Sequence, residues 1–107
     1  MNIMETLNFR FDSAPVPVAA DAALCGVVGS GNLEILVRPG CEAAACAIEV
    51  KTSARGFGAT WHAVLDAFTA AHAAGGTRIA INDMGATPAV VTLRLGQALS
   101  EYLGDAR

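Results

Sequence analysis

Along the first half of the chain, apolar and polar residues alternate with a period of two. Leu7, Phe9 and Phe11 alternate with Asn8, Arg10 and Asp12, the pattern of a half-buried strand. Ser13 to Ala20 carries Pro15 and Pro17. Each lacks a backbone donor, so this stretch reads as a loop or edge segment. Ala23 to Val28 is a second strand candidate, and Leu33, Ile35 and Val37 alternate with Glu34 and Arg38 in a third. Between these two lies Gly29-Ser30-Gly31-Asn32. Gly and Asn tolerate the positive φ of tight hairpin turns, so the cluster predicts a hairpin. Pro39-Gly40 breaks the chain again. Cys46, Ile48, Val50 and Thr52 then oppose Ala47, Glu49 and Lys51 in a fourth strand, ended by Arg55-Gly56-Phe57-Gly58.

The period changes after Gly58. Trp61, Val64, Leu65, Phe68 and Ala71 form one stripe of an amphipathic helix, with His62, Asp66, Thr69 and Ala73 on its other side. Gly75-Gly76 is the expected C-terminal stop. Ile79 and Ile81 alternate with Arg78 and Asn82 in a fifth strand, closed by Asp83-Met84-Gly85. Thr87-Pro88 then offers a hydroxyl N-cap followed by a first-turn proline. Val91, Leu95, Ala98, Leu99 and Tyr102 line one face of the helix that follows. Val91, Leu93 and Leu95 also alternate like a strand. The helix is preferred because the apolar pattern continues through Tyr102, with Gln97, Ser100 and Glu101 outside. The order is β-β-β-β-α-β-α. Two helices with one apolar face each are buried most simply against one face of a sheet. The expected fold class is therefore α+β: a mostly antiparallel sheet of four to five strands with both helices on one face. Residues 1–107 are read as a single domain, with 1–5 as a flexible leader.

Composition narrows the functional classes. Hydrophobic residues make up 53% of the 107 positions and charged residues 16%, which excludes intrinsic disorder. The same balance suggests that a partner covers part of the surface. Net charge is −3, and Arg10, Lys51, Arg55, Arg78 and Arg94 are scattered, so no nucleic-acid footprint is expected. The longest uncharged stretch, Ala22 to Leu33, is broken by Gly, Ser and Asn and is too short to span a membrane. No apolar run precedes Glu5, so no secretory signal is expected. Cys25, Cys41 and Cys46 are odd in number and form no C-x-x-C, so they are read as small apolar residues in a reducing cytoplasm.

A search for chemistry leaves no catalytic or metal-ligating set. His62 and His72 stand ten residues apart on one predicted helix and cannot share a metal as an i, i+4 pair does. The glutamates show no paired spacing, and no G-x-S-x-G elbow is present. Gly29-Ser30-Gly31-Asn32 remains. On residue chemistry alone it is either a structural hairpin turn, a phosphate cradle, or a turn that presents an unobstructed hydroxyl to a modifying enzyme. Asp83-Met84-Gly85-Ala86-Thr87-Pro88 reads as a strand-to-helix turn with a cap.

Taken together, Val28-Gly29-Ser30-Gly31-Asn32-Leu33-Glu34, Thr52-Ser53 with Trp61 downstream, and Asp83-Met84-Gly85-Ala86-Thr87-Pro88 resemble the delta, acyl-carrier subunit family of malonate decarboxylase. The likeness runs from Met4 to about Leu103. It departs from the family's pattern at Asn32, Asn82 and Met84, none of which removes the hydroxyl. The resemblance implies a non-catalytic carrier subunit. Ser30 would be the covalent attachment point of a 2'-(5''-phosphoribosyl)-3'-dephospho-CoA arm, with Gly29, Gly31 and Asn32 forming the turn that presents it. The arm would carry acetyl and malonyl thioesters. The implied partners are an acetyl/malonyl transferase subunit, the decarboxylase subunits, a prosthetic-group transferase and a malonyl transferase. Two other readings stay open. One is the carrier (gamma) subunit of citrate lyase, whose serine-glycine turn is similar. The other is an unmodified α+β interaction module. A small stand-alone enzyme is disfavoured, as is an ordinary fatty-acid-type carrier, which is an acidic helical bundle.

Overall fold

The computed structural model describes residues 4–16, 26–30 as backbone, and 32–104. Five strands and two helices follow in the expected order: β1 (Glu5–Asp12), β2 (Gly26–Ser30), β3 (Leu33–Pro39), β4 (Ala45–Thr52), α1 (Gly58–Ala71), β5 (Thr77–Asp83) and α2 (Pro88–Tyr102). The strands form one sheet in the order β1-β4-β5-β3-β2. Neighbours pair antiparallel except β4 and β5. These two are parallel and joined through α1, because a parallel pair needs a crossover longer than any hairpin.

The period-two pattern decides which side of the sheet is buried. Leu33, Ile35 and Val37, then Cys46, Ile48 and Val50, then Ile79 and Ile81 all belong to one core cluster with Trp61, Leu65, Phe68, Val91, Leu95, Ala98, Leu99 and Tyr102. Their sheet neighbours Glu34, Arg38, Ala47, Glu49, Lys51, Arg78 and Asn82 are exposed. Both helices therefore cover the same face. Each fully buried Ile or Leu contributes about 1.5–3 kcal/mol by leaving water. Leu93 is 57% exposed, which settles its segment as helix, since a strand through Val91 and Leu95 would bury it as well.

Four details differ from the expectation. The first concerns the leader. β1 begins at Glu5, which pairs with Thr52 while its carboxylate accepts from the Gly56 amide at 3.2 Å. Residue 5 is thus part of the sheet, and residues 1–3 lie outside the described residues. The second is β2, which runs on through Gly29 and Ser30; Ala23 to Cys25 and Pro17 to Ala20 lie outside the described residues. Third, Thr69 is buried although it was placed on the polar side of α1. Its hydroxyl donates to the Leu65 and Asp66 carbonyls at 3.0 and 3.1 Å, so the helix itself satisfies it.

Fourth, α1 stops at Ala71, short of the glycines. Ser13, buried below β1, donates its hydroxyl toward the Thr69 and His72 carbonyls and accepts from the Ala74 amide. That side chain takes over the carbonyls a helix end leaves unpaired. Gly75 then serves close approach. A Cβ there would lie 2.7 Å from the Ala43 carbonyl oxygen and 2.9 Å from that of Ala14.

Candidate functional site

Ser30 is the last paired residue of β2, opposite Leu33. The hairpin tip is therefore the two-residue connection Gly31-Asn32, with Gly29 still inside the ladder opposite Glu34. Gly31 lies outside the described residues. Asn32 is exposed in the turn. Among the described residues β2 is an edge strand, with β3 as its one neighbour.

The turn is tied to the strand-to-helix segment that follows β5. The Met84 amide donates to the Asn32 carbonyl at 2.9 Å. Register places Ser30, Leu33, Asp83 and Thr52 in a single row across four strands. With strands about 4.8 Å apart, Ser30 and Asp83 are roughly 10 Å apart along that row.

Asp83 organises this end of the sheet. The residue is 3% exposed. One oxygen accepts from the Thr52 hydroxyl at 2.7 Å, and the other from the Gly85 and Ala86 amides at 3.2 and 2.8 Å. Its backbone carbonyl accepts from Ser53. A buried polar group is tolerable when every oxygen is used in this way. The turn it holds needs Gly85, whose φ of 108° is a backbone conformation that favours glycine. Thr87 then caps α2, accepting from the Val90 amide at 3.3 Å, with Pro88 in the first turn. The sequence reading of this segment as turn plus cap is correct, but it gave no sign that Asp83 turns inward as the clamp.

Next to the clamp is a cavity of about 220 Å³ lined by Phe57, Thr60, Trp61, Val64, Asp83, Ala86, Pro88 and Val91. It lies between the N-terminal turns of α1 and α2. Phe57 precedes α1 without any side-chain cap and is 53% exposed, and Met84 is 56% exposed. Periodicity put Trp61, Val64 and Val91 on buried faces. That the two faces leave a cavity between them could not be read from spacing.

The remaining reactive groups do not gather. Among the described residues no group of three or more His, Cys, Asp or Glu could hold a metal. His72 lies against Phe68, and His62 packs beside Phe9 and Phe11. Burial pushes the Cys46 thiol up, partly offset by the hydrogen bond it accepts from Thr77 at 3.3 Å. Cys41 is exposed, and Cys25 lies outside the described residues. Among the described residues, Arg10 forms an ion-pair cluster with Asp12 and Glu42 on the surface. There Arg10 holds the Glu42 carboxyl below its usual range, chiefly by hydrogen bonding. No described helix is long and apolar enough to cross a membrane.

The family profile "Malonate decarboxylase delta subunit (MdcD)" matches residues 20–102. The malonate decarboxylase acyl carrier protein of Acinetobacter calcoaceticus is 50% identical, the match covering 95% of this chain and 100% of the relative. That of Xanthomonas euvesicatoria pv. vesicatoria (strain 85-10) is 56% identical, covering 94% and 97%. One chain in the crystal structure of a Pseudomonas malonate decarboxylase hetero-tetramer in complex with malonate superposes with a TM-score of 0.76. That chain is 35% identical, with 92% of this chain and 99% of that one aligned.

Proposed function

The chain belongs to the malonate decarboxylase delta-subunit, acyl carrier family, and from that premise we propose that Ser30 carries a phosphoribosyl-dephospho-CoA arm. On this reading the subunit hands acetyl and malonyl groups between the transferase and decarboxylase subunits of a larger complex. The observation that carries the reading is the position of Ser30, which the family match spans. It ends an edge strand beside a two-residue Gly31-Asn32 connection, next to the smallest residue type on each side. The same match favours malonate decarboxylase over a citrate lyase carrier.

The residues present fit such a group. A covalent phosphodiester needs a hydroxyl, and Ser30 brings one at the hairpin end of a strand that is an edge among the described residues. When attached, the arm supplies a thiol that holds an acyl group as a thioester, a better electron sink than a free carboxylate. Everything else the chain does is positional. The Asp83 clamp and the bond from Met84 to Asn32 tie Asn32 to the segment that follows β5. Tethering keeps the cargo at a high effective concentration near each partner. The carrier itself then requires no acid, base or nucleophile.

Intact mass of the protein made in its own host, followed by peptide mapping, tests the proposal. A mass increase confined to the peptide containing Ser30 is expected. An unmodified Ser30 there would leave the interaction-module reading in its place.

A further inference from the structure

The cavity between α1 and α2 has no part in attachment, yet it opens beside the attachment row. We propose that it seats the neutral acetyl-thioester end of the arm and turns away the malonyl end. This inference rests on the carrier reading above and adds a site to it.

Three observations support it. The first is reach. Asp83, which lines the cavity, stands two strands from Ser30 in the same register row, roughly 10 Å away. The pantetheine part of the arm has three amide-linked units, each about as long as a residue or longer. It therefore spans at least about 10 Å, before the nucleotide part is counted. The second is size. A volume of about 220 Å³ holds roughly seven water-sized atoms at about 30 Å³ each. An acetyl thioester with its ethylene and first amide nitrogen has that many non-hydrogen atoms.

The third is polarity. Phe57, Trp61, Val64, Ala86, Pro88 and Val91 give the lining an apolar character, with Thr60 as a hydroxyl. The one ionisable group among the lining residues is Asp83, whose oxygens are occupied by Thr52, Gly85 and Ala86. An acetyl group loses little on entering such a space. A malonyl carboxylate in this half-open space would give up part of its water against an apolar lining, with no cation to meet it and beside another carboxyl group, which is unfavourable. Arg55, on the turn before Phe57, is exposed and does not line the cavity, so a carboxylate meets a cation only outside. The acyl group itself thus sets where the arm rests: acetyl withdrawn, malonyl free for a partner to take.

The test uses the whole chain with the arm attached by its own transferase, confirmed by intact mass, then loaded with acetyl or malonyl. Trp61 is the single tryptophan and lines the cavity, so its emission reports occupancy. Acetyl loading is expected to shift Trp61 emission relative to the free-thiol form, and malonyl loading to leave it unchanged. Cleavage of each thioester by hydroxylamine gives a second readout. An acetyl group seated about three-quarters of the time reacts roughly fourfold more slowly than a free one. Filling the cavity with Val64→Phe, or more mildly with Ala86→Val, should abolish that protection and leave malonyl cleavage unchanged. Equal emission in all three forms, or equal acetyl cleavage in wild type and both variants, overturns the proposal while the arm mass still supports the carrier reading. Absence of the arm mass overturns both.

Discussion

Replacing Asp83 by alanine removes the acceptor for three hydrogen bonds at once, those from the Thr52 hydroxyl and the Gly85 and Ala86 amides. Each such bond has a net worth of about 1 kcal/mol. The two amides are part-buried and recover some hydration. The Thr52 hydroxyl is buried, and its remaining acceptor is the Ala54 carbonyl at 3.5 Å. The expected cost is therefore about 2–3 kcal/mol, or roughly 10–20 °C in Tm for a domain of this size. Asp83→Asn keeps an oxygen for both amides and presents an NH2 to Thr52, whose hydroxyl can accept. Its cost should stay below about 1 kcal/mol. Urea unfolding followed by Trp61 fluorescence measures both. If Asp83→Ala falls within about 0.5 kcal/mol of wild type, the clamp is not what holds this turn. If Asp83→Asn is as damaging as Asp83→Ala, the acceptor argument is wrong.

Other expectations follow from the same geometry. Gly75→Ala should cost about 3 kcal/mol or more, because the new Cβ meets the Ala43 and Ala14 carbonyls and backbone has to move; a wild-type urea midpoint would contradict this. Thr87→Ala should lose about 1 kcal/mol by removing the α2 cap, read from the same unfolding curves, and no change would refute it. In a Cys25→Ser background, Cys41 should react with a thiol reagent in the folded protein while buried Cys46 reacts only as denaturant is added; equal rates in the native state would count against the core packing. Arg10 lowers the Glu42 carboxyl. The stabilisation from that pair is therefore present above the ordinary carboxylate range and fades as pH falls through the lowered value. Glu42→Gln should cost little at neutral pH, and high salt should erase that cost. A cost that is the same in low and high salt would show that the pair is not what Glu42 contributes.

What could be read from sequence was whatever repeats with the period of its own element. Leu33, Ile35 and Val37, then Cys46, Ile48, Val50 and Thr52, and the α2 face from Val91 to Tyr102 all turn inward as alternation and helical spacing require. Contacts made across long separations could not be read. Ser13 caps a helix that ends some sixty residues later. Thr69 looks polar until its hydroxyl is seen bonded to its own helix. Parallel pairing of β4 with β5 depends on how α1 crosses the sheet, which no local pattern encodes. At the site, turn chemistry identified the Gly31-Asn32 connection but placed Gly29 and Ser30 in the turn. The strand pairing of both depends on the register against β3. The cavity was hidden for the same reason, since its lining comes from α1, α2 and the end of β5.

The most direct measurement is the intact mass of this chain purified from its own host, beside a Ser30→Ala variant made in the same way. The expected result is an added mass on the wild-type chain, mapped to Ser30, and a folded variant that carries none. A wild-type chain at its bare mass, an arm on another residue, or a Ser30→Ala chain that is modified all the same would contradict it.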